Sequence, residues 1–319
     1  MRRVVGVPVI LAVLVGFGSA GTATPQQTPG TPPPTFKAGV DLVTVSVVVK
    51  NREGRPVTGL SRQDFELTDA GHVRSISDFR SEPAAVSLAV LLDTSGSMQI
   101  DPKWPNARSA ITRLAAELQS GRDQIALLTF DNELHEVQPY TTTPSDVVRR
   151  LHSIHPWGST ALYDAVVQAG RTLATQGESR RAVVVVTDGL DNRSRSTAAS
   201  ASAVVSAVDM PVYTIVVSSA HDRAEDEAVG GDRSATRSAG PLENLSQWTG
   251  GALFKGSTAA ESDAAVRQIV AELRYQYVMS FESSAPAGWH PLMVRVRDGK
   301  LVVRTRSGYV AGPRAGGQS

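Results

Sequence analysis

The sequence predicts an α/β fold: a doubly wound, mostly parallel sheet, accompanied by a small β-sandwich-like domain built from the N- and C-terminal segments. Three observations lead there. Between Ala84 and Arg274, short apolar runs alternate with helical patterns, as a parallel sheet with crossover helices requires. Some of these runs, Val183-Val-Val-Val186 foremost, are continuously apolar, the mark of strands covered on both faces. On either side of this region the pattern becomes partly alternating and rich in β-branched residues, with no helical period.

The elements follow in chain order. Arg2-Arg3, the apolar run Val4 to Phe17 and the small residues Gly18-Ser19-Ala20 describe a secretory signal peptide over 1–20. The run is short for a bilayer span, which needs about 20 apolar residues. Cleavage near Ala20 or Ala23 is therefore expected, with a retained anchor as the alternative. Residues 21–36, a Thr/Pro/Gln/Gly tract containing Pro32-Pro33-Pro34, bury almost nothing and read as an extended linker. The N-terminal β segment, 37–83, reads as a meander of about four short strands, over 41–50, 56–60, 64–69 and 73–79, with turns at Asn51–Gly54 and Ala70-Gly71.

The central domain, 84–274, has strand candidates at Val86–Leu92, Ile125–Phe130, Leu134–Gln138, Ala182–Thr187, Pro211–Val217 and Ala252–Phe254. Helical patterns cover Ala107–Gln119, Ser145–Leu151, Ala161–Thr175, Thr197–Val208, Leu242–Trp248 and Ala259–Leu273. Only Leu134–Gln138 follows its predecessor through a tight turn, so that pair should be an antiparallel hairpin at one edge. The C-terminal β segment, 275–311, holds strands at Tyr275–Phe281, Leu292–Arg297 and Leu301–Arg306. Asp298-Gly299 reads as a hairpin turn between the last two. Neither end is long enough to bury a core alone, so both ends are expected to form one seven-stranded sandwich around the inserted α/β domain, with two independent β appendages as the alternative. A disordered tail is expected at 312–319.

The chain of 319 residues has a formal charge of +1, which favours neither nucleic acid nor an anionic membrane as partner. It contains no cysteine; disulfides, thiolate metal sites and a cysteine nucleophile are excluded. No second apolar segment is long enough to span a bilayer, so the mature chain is expected outside the cytoplasm: periplasmic, cell-surface or secreted.

The strand Val86–Leu92 runs directly into Asp93-Thr94-Ser95-Gly96-Ser97. This places one carboxylate and two hydroxyls on a tight turn at the carboxyl edge of the sheet, where ligands of open α/β sheets bind. Thr187-Asp188-Gly189 follows another strand to the same edge, and the loop Pro156–Thr160 enters a helix there. Asp93, Ser95, Ser97, Thr160 and Asp188 thus offer oxygen ligands to a hard divalent cation. Two carboxylates balance one Mg²⁺, and the neutral hydroxyls leave it able to attract one more anionic oxygen.

Asp-x-Ser-x-Ser, then Gly158-Ser-Thr160, then Thr187-Asp188-Gly189, in this order on such a scaffold, resembles the von Willebrand factor type A domain, a Rossmann-like fold. The resemblance implies a metal-ion-dependent adhesion site. Ser95, Ser97 and Thr160 would bind the ion directly, and Asp93 and Asp188 largely through water. A protein ligand would supply a carboxylate as the sixth partner, and Thr160 would shift between closed and open states. The implied ion is Mg²⁺, with Mn²⁺ or Ca²⁺ as alternatives. The flanks, including Leu60-Ser-Arg-Gln-Asp-Phe65, Trp289-His-Pro-Leu and Arg304-Thr-Arg-Ser-Gly-Tyr309, are similar to the acidobacterial von Willebrand A-related family of exported proteins. The polar insert 218–238 departs from the usual strand-to-helix connection and could cover the site.

The expected function is an exported, metal-dependent protein-binding module for adhesion or assembly. The alternative is a structural protein whose metal is occupied in cis or by a neighbouring subunit. A metal-assisted hydrolase is disfavoured: no Gly-x-Ser-x-Gly elbow is present, and no histidine falls at a strand end near Ser95 or Ser97. No catalytic residue is assigned. His152 and His155 lack the partners of a metal site, and Asp191-Asn192 reads as the cap region of the following helix. Trp157 is expected to prop the Thr160 loop from within, with an exposed, ligand-facing ring as the alternative. Glu225, Asp226 or Glu227 could mask the metal in cis.

Overall fold

The computed structural model describes residues 41–173, 180–219, 222, 234–283 and 285–311. These fall within one unit, Gly39–Ser319. The expected signal peptide, linker and tail lie outside the described residues, as does most of the 218–238 insert. No helix among the described residues is long and apolar enough to cross a membrane.

The chain begins its described course with β1 (Asp41–Lys50), β2 (Phe65–Asp69), β3 (His72–Arg74) and β4 (Ile76–Arg80). The α/β region follows: β5 (Val86–Asp93), α1 (Lys103–Glu117), β6 (Gln124–Phe130), β7 (Leu134–Thr141), α2 (Ser145–Leu151), α3 (Leu162–Leu173) and β8 (Arg180–Thr187). It continues through α4 (Ala198–Ala207), β9 (Val212–Val216), α5 (Ser234–Trp248), β10 (Leu253–Lys255) and α6 (Ala259–Tyr275). β11 (Tyr277–Ser283), β12 (Gly288–Val296), β13 (Val302–Thr305) and β14 (Gly308–Ala311) return to strand.

The central sheet has the order β10-β9-β8-β5-β6-β7. All its pairs are parallel except β6–β7, the hairpin expected at the edge. Successive residues of a strand point to opposite faces, and both faces of β5 are buried. Leu88, Val90 and Leu92 pack with Ile111 and Leu114 of α1 and Ile269 and Leu273 of α6. Ala89 and Leu91 face the other way, towards Leu162 and Val166 of α3 and Val205 of α4. Two apolar layers of this kind require strands without a polar face, which is why the runs read as continuous. This is the doubly wound sheet that the alternation of elements predicts. α5 starts earlier than the expected Leu242 and carries Pro241 inside it, a position where proline is ordinarily disfavoured.

The terminal segments interleave. One four-stranded sheet has the order β13-β1-β11-β4 and the other β14-β12-β2-β3. Each takes two strands from each end of the chain, so neither end can form a sheet alone. Between them lie Val43, Val45, Val47, Phe65, Leu67, Met279, Phe281 and Val294, all buried. Phe65 sits 5.0 Å from the Tyr277 ring and 5.5 Å from that of Phe79.

The expected hairpin at Asp298-Gly299 is not formed. β13 pairs with β1 in one sheet, whereas β12 pairs with β2 and β14 in the other. A two-residue hairpin turn of the favoured type needs positive φ at both central residues. Gly299 does not adopt it. Instead the Lys300 amide donates to Asp298 Oδ1 and the Leu301 amide to the Asp298 carbonyl, turning the chain from one sheet to the other. The expected strand Leu301–Arg306 corresponds to β13 alone; β14, beyond its end, was not expected, and it brings the two sheets to eight strands where seven were expected. Gly308 allows β14 to lie close against β12: a Cβ there would lie 2.4 Å from the His290 carbonyl oxygen.

The sandwich joins the α/β region through buried charge. Glu272 of α6, with no exposure, accepts from Lys50 at 3.0 Å, from Gln268 at 2.9 Å and from Arg304. Burial disfavours its charge, but Arg304 and Lys50 outweigh this and hold its pKa below the ordinary value. Arg304 also lies over the Tyr213 ring at 5.7 Å and donates to the Gly250 carbonyl. Nearby, Arg306 donates to the carbonyls of Thr44 and Ser206, and Ser46 donates to Asp209. Glu272→Ala would leave two cations without their shared carboxylate, a loss of about 3 kcal/mol by analogy with broken buried pairs. Urea denaturation of the variant should show it; a loss below about 1 kcal/mol would mean the network does not clamp the two regions.

Candidate metal centre

Asp93 ends β5 and is fully buried. Its Oδ1 accepts the Ser95 amide at 2.9 Å, and its Oδ2 accepts the Thr187 hydroxyl at 2.6 Å. Thr187 ends β8, the parallel neighbour of β5, so the two strand ends are bridged by one short hydrogen bond. The Thr94 amide and hydroxyl both donate to the Phe130 carbonyl at the end of β6, which fixes the turn from the other side. The chain then enters a short 3₁₀ turn, Gly96–Gln99, whose Met98 is buried in the core. This anchoring sets Ser95 Oγ and Ser97 Oγ 3.1 Å apart.

The Thr160 loop lies against that turn. Its Gly158 carbonyl accepts the Gly96 amide at 2.9 Å, its Trp157 amide donates to the Thr94 carbonyl, and Gln99 Nε2 reaches the Pro156 carbonyl at 2.8 Å. Gly158 has φ +101°, a region that favours glycine, and a Cβ there would meet Asp131 at 3.3 Å. Thr160 itself is 1% exposed. Its amide donates to Asn192 Oδ1 at 3.1 Å, and its carbonyl accepts the amides of Asn192 and Arg193.

Asp188 follows Thr187, and its side chain is also buried. Oδ1 accepts the Leu190 amide at 3.3 Å and Oδ2 accepts Lys103 Nζ at 3.0 Å. The structure therefore brings all five expected residues to one edge of the sheet through direct contacts between their strands and loops.

Burial raises the Asp93 pKa to about 6, and the neighbouring Asp188 charge adds to the rise; the bonds from Thr187 and Ser95 oppose it. A buried carboxylate so disfavoured as an anion gains from a nearby cation. The donor set is all oxygen, as Mg²⁺ prefers. Two oxygens cis on an octahedral Mg²⁺ at about 2.1 Å stand roughly 3 Å apart, and the Ser95–Ser97 pair has that spacing. The residues present fit the ion. Among the described residues no cluster of three or more His, Cys, Asp or Glu side chains could hold a metal, so any capacity here depends on the hydroxyls. His152 is instead bonded to Arg108 at 2.8 Å.

Residues 88–190 match the von Willebrand factor type A domain family. The chain carries a von Willebrand factor type A domain. Among solved structures, it is similar to a von Willebrand factor type A protein from Catenulispora acidiphila, at 12% identity and TM-score 0.47, over 83% of this chain and 74% of that one. BatB from Bacteroides thetaiotaomicron aligns at 21% identity and TM-score 0.47, over 58% of this chain and 97% of that one. Proximal thread matrix protein 1 from the mussel byssus, described with a zinc-occupied MIDAS motif, aligns at 15% identity and TM-score 0.49, over 65% of this chain and 50% of that one.

Two expectations about this von Willebrand A domain are corrected. Trp157 is not an internal prop: it is 78% exposed, because the backbone of its loop, not its ring, holds the contacts to Thr94 and Gly96. Asp191 and Asn192 do not cap the following helix, whose N-cap is Thr197. They face backwards: Asp191 accepts the Tyr163 amide at the start of α3, and Asn192 clasps Thr160. The masking residues considered in sequence, Glu225, Asp226 and Glu227, lie outside the described residues. Sequence reasoning missed Thr187 as the hydrogen-bond donor to Asp93, although it sits inside the Thr-Asp-Gly motif. It also missed Lys103 and Asp222, for which no local pattern gives a signal.

The Asp93 shift has a stability consequence. A folded-state pKa of about 6 against 3.8 unfolded means that the folded form binds the proton more tightly. That advantage is complete below pH 3.8 and disappears as pH rises through 6, so at pH 7 the buried charge costs up to about 3 kcal/mol. In chelator, Asp93→Asn should be more stable than the parent at pH 7, with the gap closing towards pH 4. Urea midpoints that differ by a constant amount across this range would contradict the assignment.

Proposed function

We propose that this chain is an exported, metal-ion-dependent protein-binding module, serving adhesion or assembly, that captures a partner's acidic side chain through a divalent cation. The observation that carries the reading is the meeting of Asp93, Ser95, Ser97, Thr160 and Asp188 around one bridged strand end. Mg²⁺ suits the donors, with Mn²⁺ or Ca²⁺ sharing the same oxygen chemistry. When bound, the ion would supply a Lewis-acidic position for a carboxylate; the protein residues hold and orient it. Direct ligation by the three hydroxyls and water-mediated ligation by the two carboxylates follow from the resemblance.

The rim supports a protein partner. Ile100 is 50% exposed, Trp157 78% and Leu190 44%. They stand on the three loops that bring the site together. Exposed large apolar residues mark interaction faces when they cluster, and aromatic anchors dominate interface energetics. The N-terminal sequence supports export, and the flanking motifs support membership of the acidobacterial von Willebrand A-related group. Catalysis has little to work with: both carboxylates of the site are engaged by donors, and hydrolysis would need a positioned base.

Capture from the native envelope fraction, in MgCl₂ against chelator, tests this. Asp93→Ala or chelator should abolish capture while circular dichroism stays that of the parent. Trp157→Ser should weaken it about tenfold or more and leave Mn²⁺ binding unchanged. Equal capture with and without chelator would refute a metal-dependent contact.

A further inference from the structure

Lys103 is the most unexpected side chain near the site. It stands in the first turn of α1, where the helix macrodipole opposes a cation, and it is only 3% exposed. Lysine is almost never buried this fully unless paired. Its ammonium is forked between two carboxylates: Asp188 Oδ2 at 3.0 Å and Asp222 Oδ2 at 3.1 Å. Burial acts against its charge, but the two carboxylates outweigh this and hold its pKa above the ordinary lysine value. Asp222 is itself built in: its Oδ2 accepts the Ser219 amide at 2.7 Å and its own amide donates to Ser219 Oγ at 3.1 Å. Bonds from the Ser219 backbone and from Lys103 overcome its burial and lower its pKa. The pair is therefore ionised.

A cation bonded to Asp188 cannot be neutral towards a divalent ion that uses Asp188. It cancels half of the site's formal negative charge and repels a second cation across a few ångströms of low-dielectric interior. Asp222 acts in the opposite sense. It adds a negative charge beside the site and offers the ammonium a second partner without a change in the lysine's burial.

We propose that Lys103 is a resident counter-cation that competes with the divalent ion for Asp188, and that Asp222, by holding the displaced ammonium, sets the ion affinity of the site. This rests on the metal-binding reading above and names how that site is regulated. It also assigns a role to the start of the connection after β9: whatever draws Asp222 away from Lys103 returns the ammonium wholly to Asp188 and weakens cation binding.

Calorimetric titration of the full chain with MnCl₂, with the free ion counted by electron paramagnetic resonance, tests the proposal. Lys103→Met keeps the length of the side chain and removes its charge; it should bind Mn²⁺ about tenfold or more tightly. Asp222→Asn should bind several-fold more weakly, and Lys103→Arg should stay near the parent. The double variant Lys103→Met with Asp222→Asn should recover most of the Lys103→Met gain, since Asp222 acts through the lysine. Thermal unfolding in chelator identifies any variant that fails to fold; Lys103→Gln then replaces Lys103→Met. Unchanged or weaker binding by a folded, neutral Lys103 variant would overturn the competition while leaving the metal site intact, provided the parent binds and Asp93→Ala does not. Absence of binding by the parent and by every Lys103 variant would overturn both readings.

Discussion

The parallel, in-register pairing of β5 with β8 is the constraint on which the site depends. Register runs from Val86 opposite Arg180 to Leu92 opposite Val186, so the next residues, Asp93 and Thr187, end their strands together. The 2.6 Å bond between them is a consequence of that register. A one-residue slip would turn every side chain of β5 to the opposite face, exchanging the two core layers and removing Asp93 from its partners. The apolar packing that forbids the slip therefore also positions the candidate ligands.

Buried carboxylates at the two ends of this architecture behave in opposite ways. Glu272 and Asp123 are each surrounded by donors and cations. Asp123 accepts Arg274 at 2.6 Å and the amides of Val86 and Gln119, and like Glu272 its pKa is lowered. Asp93 is as deeply buried, yet it has two neutral donors, a like-charged neighbour and a raised pKa. Burial is common to all three; the difference is whether the fold supplies a compensating charge. Where it does, the carboxylate clamps the structure. Where it does not, the carboxylate remains disfavoured as an anion, and such unfavourable environments concentrate where proteins act.

The sandwich adds a mechanical relation. Its sheets alternate strands from the two ends of the chain, and its charged contacts reach α6 through Glu272 and the Asp209 turn after α4. The α/β region thus enters and leaves through one clasp opposite the strand ends that carry the site. Strand pairing of distant segments closes long loops, and here the inserted region supplies its own core to offset that entropy.

Much of this was legible from sequence because it is local. Continuous apolar runs dictated a sheet covered on both faces, and the turn residues after β5 and β8 placed oxygen donors at strand ends whatever the helices did. The same locality misled at Asp298-Gly299, where a dipeptide that favours hairpins joins two different sheets, and at Trp157, where a large ring reads as buried although backbone bonds hold its loop. Tertiary structure alone decided what surrounds the site. Thr187 meets Asp93 across 94 positions and Lys103 meets Asp188 across 85. Periodicity specifies which face a residue takes within its own element. Contacts between elements depend on strand order and register, and those arise only when the whole core packs.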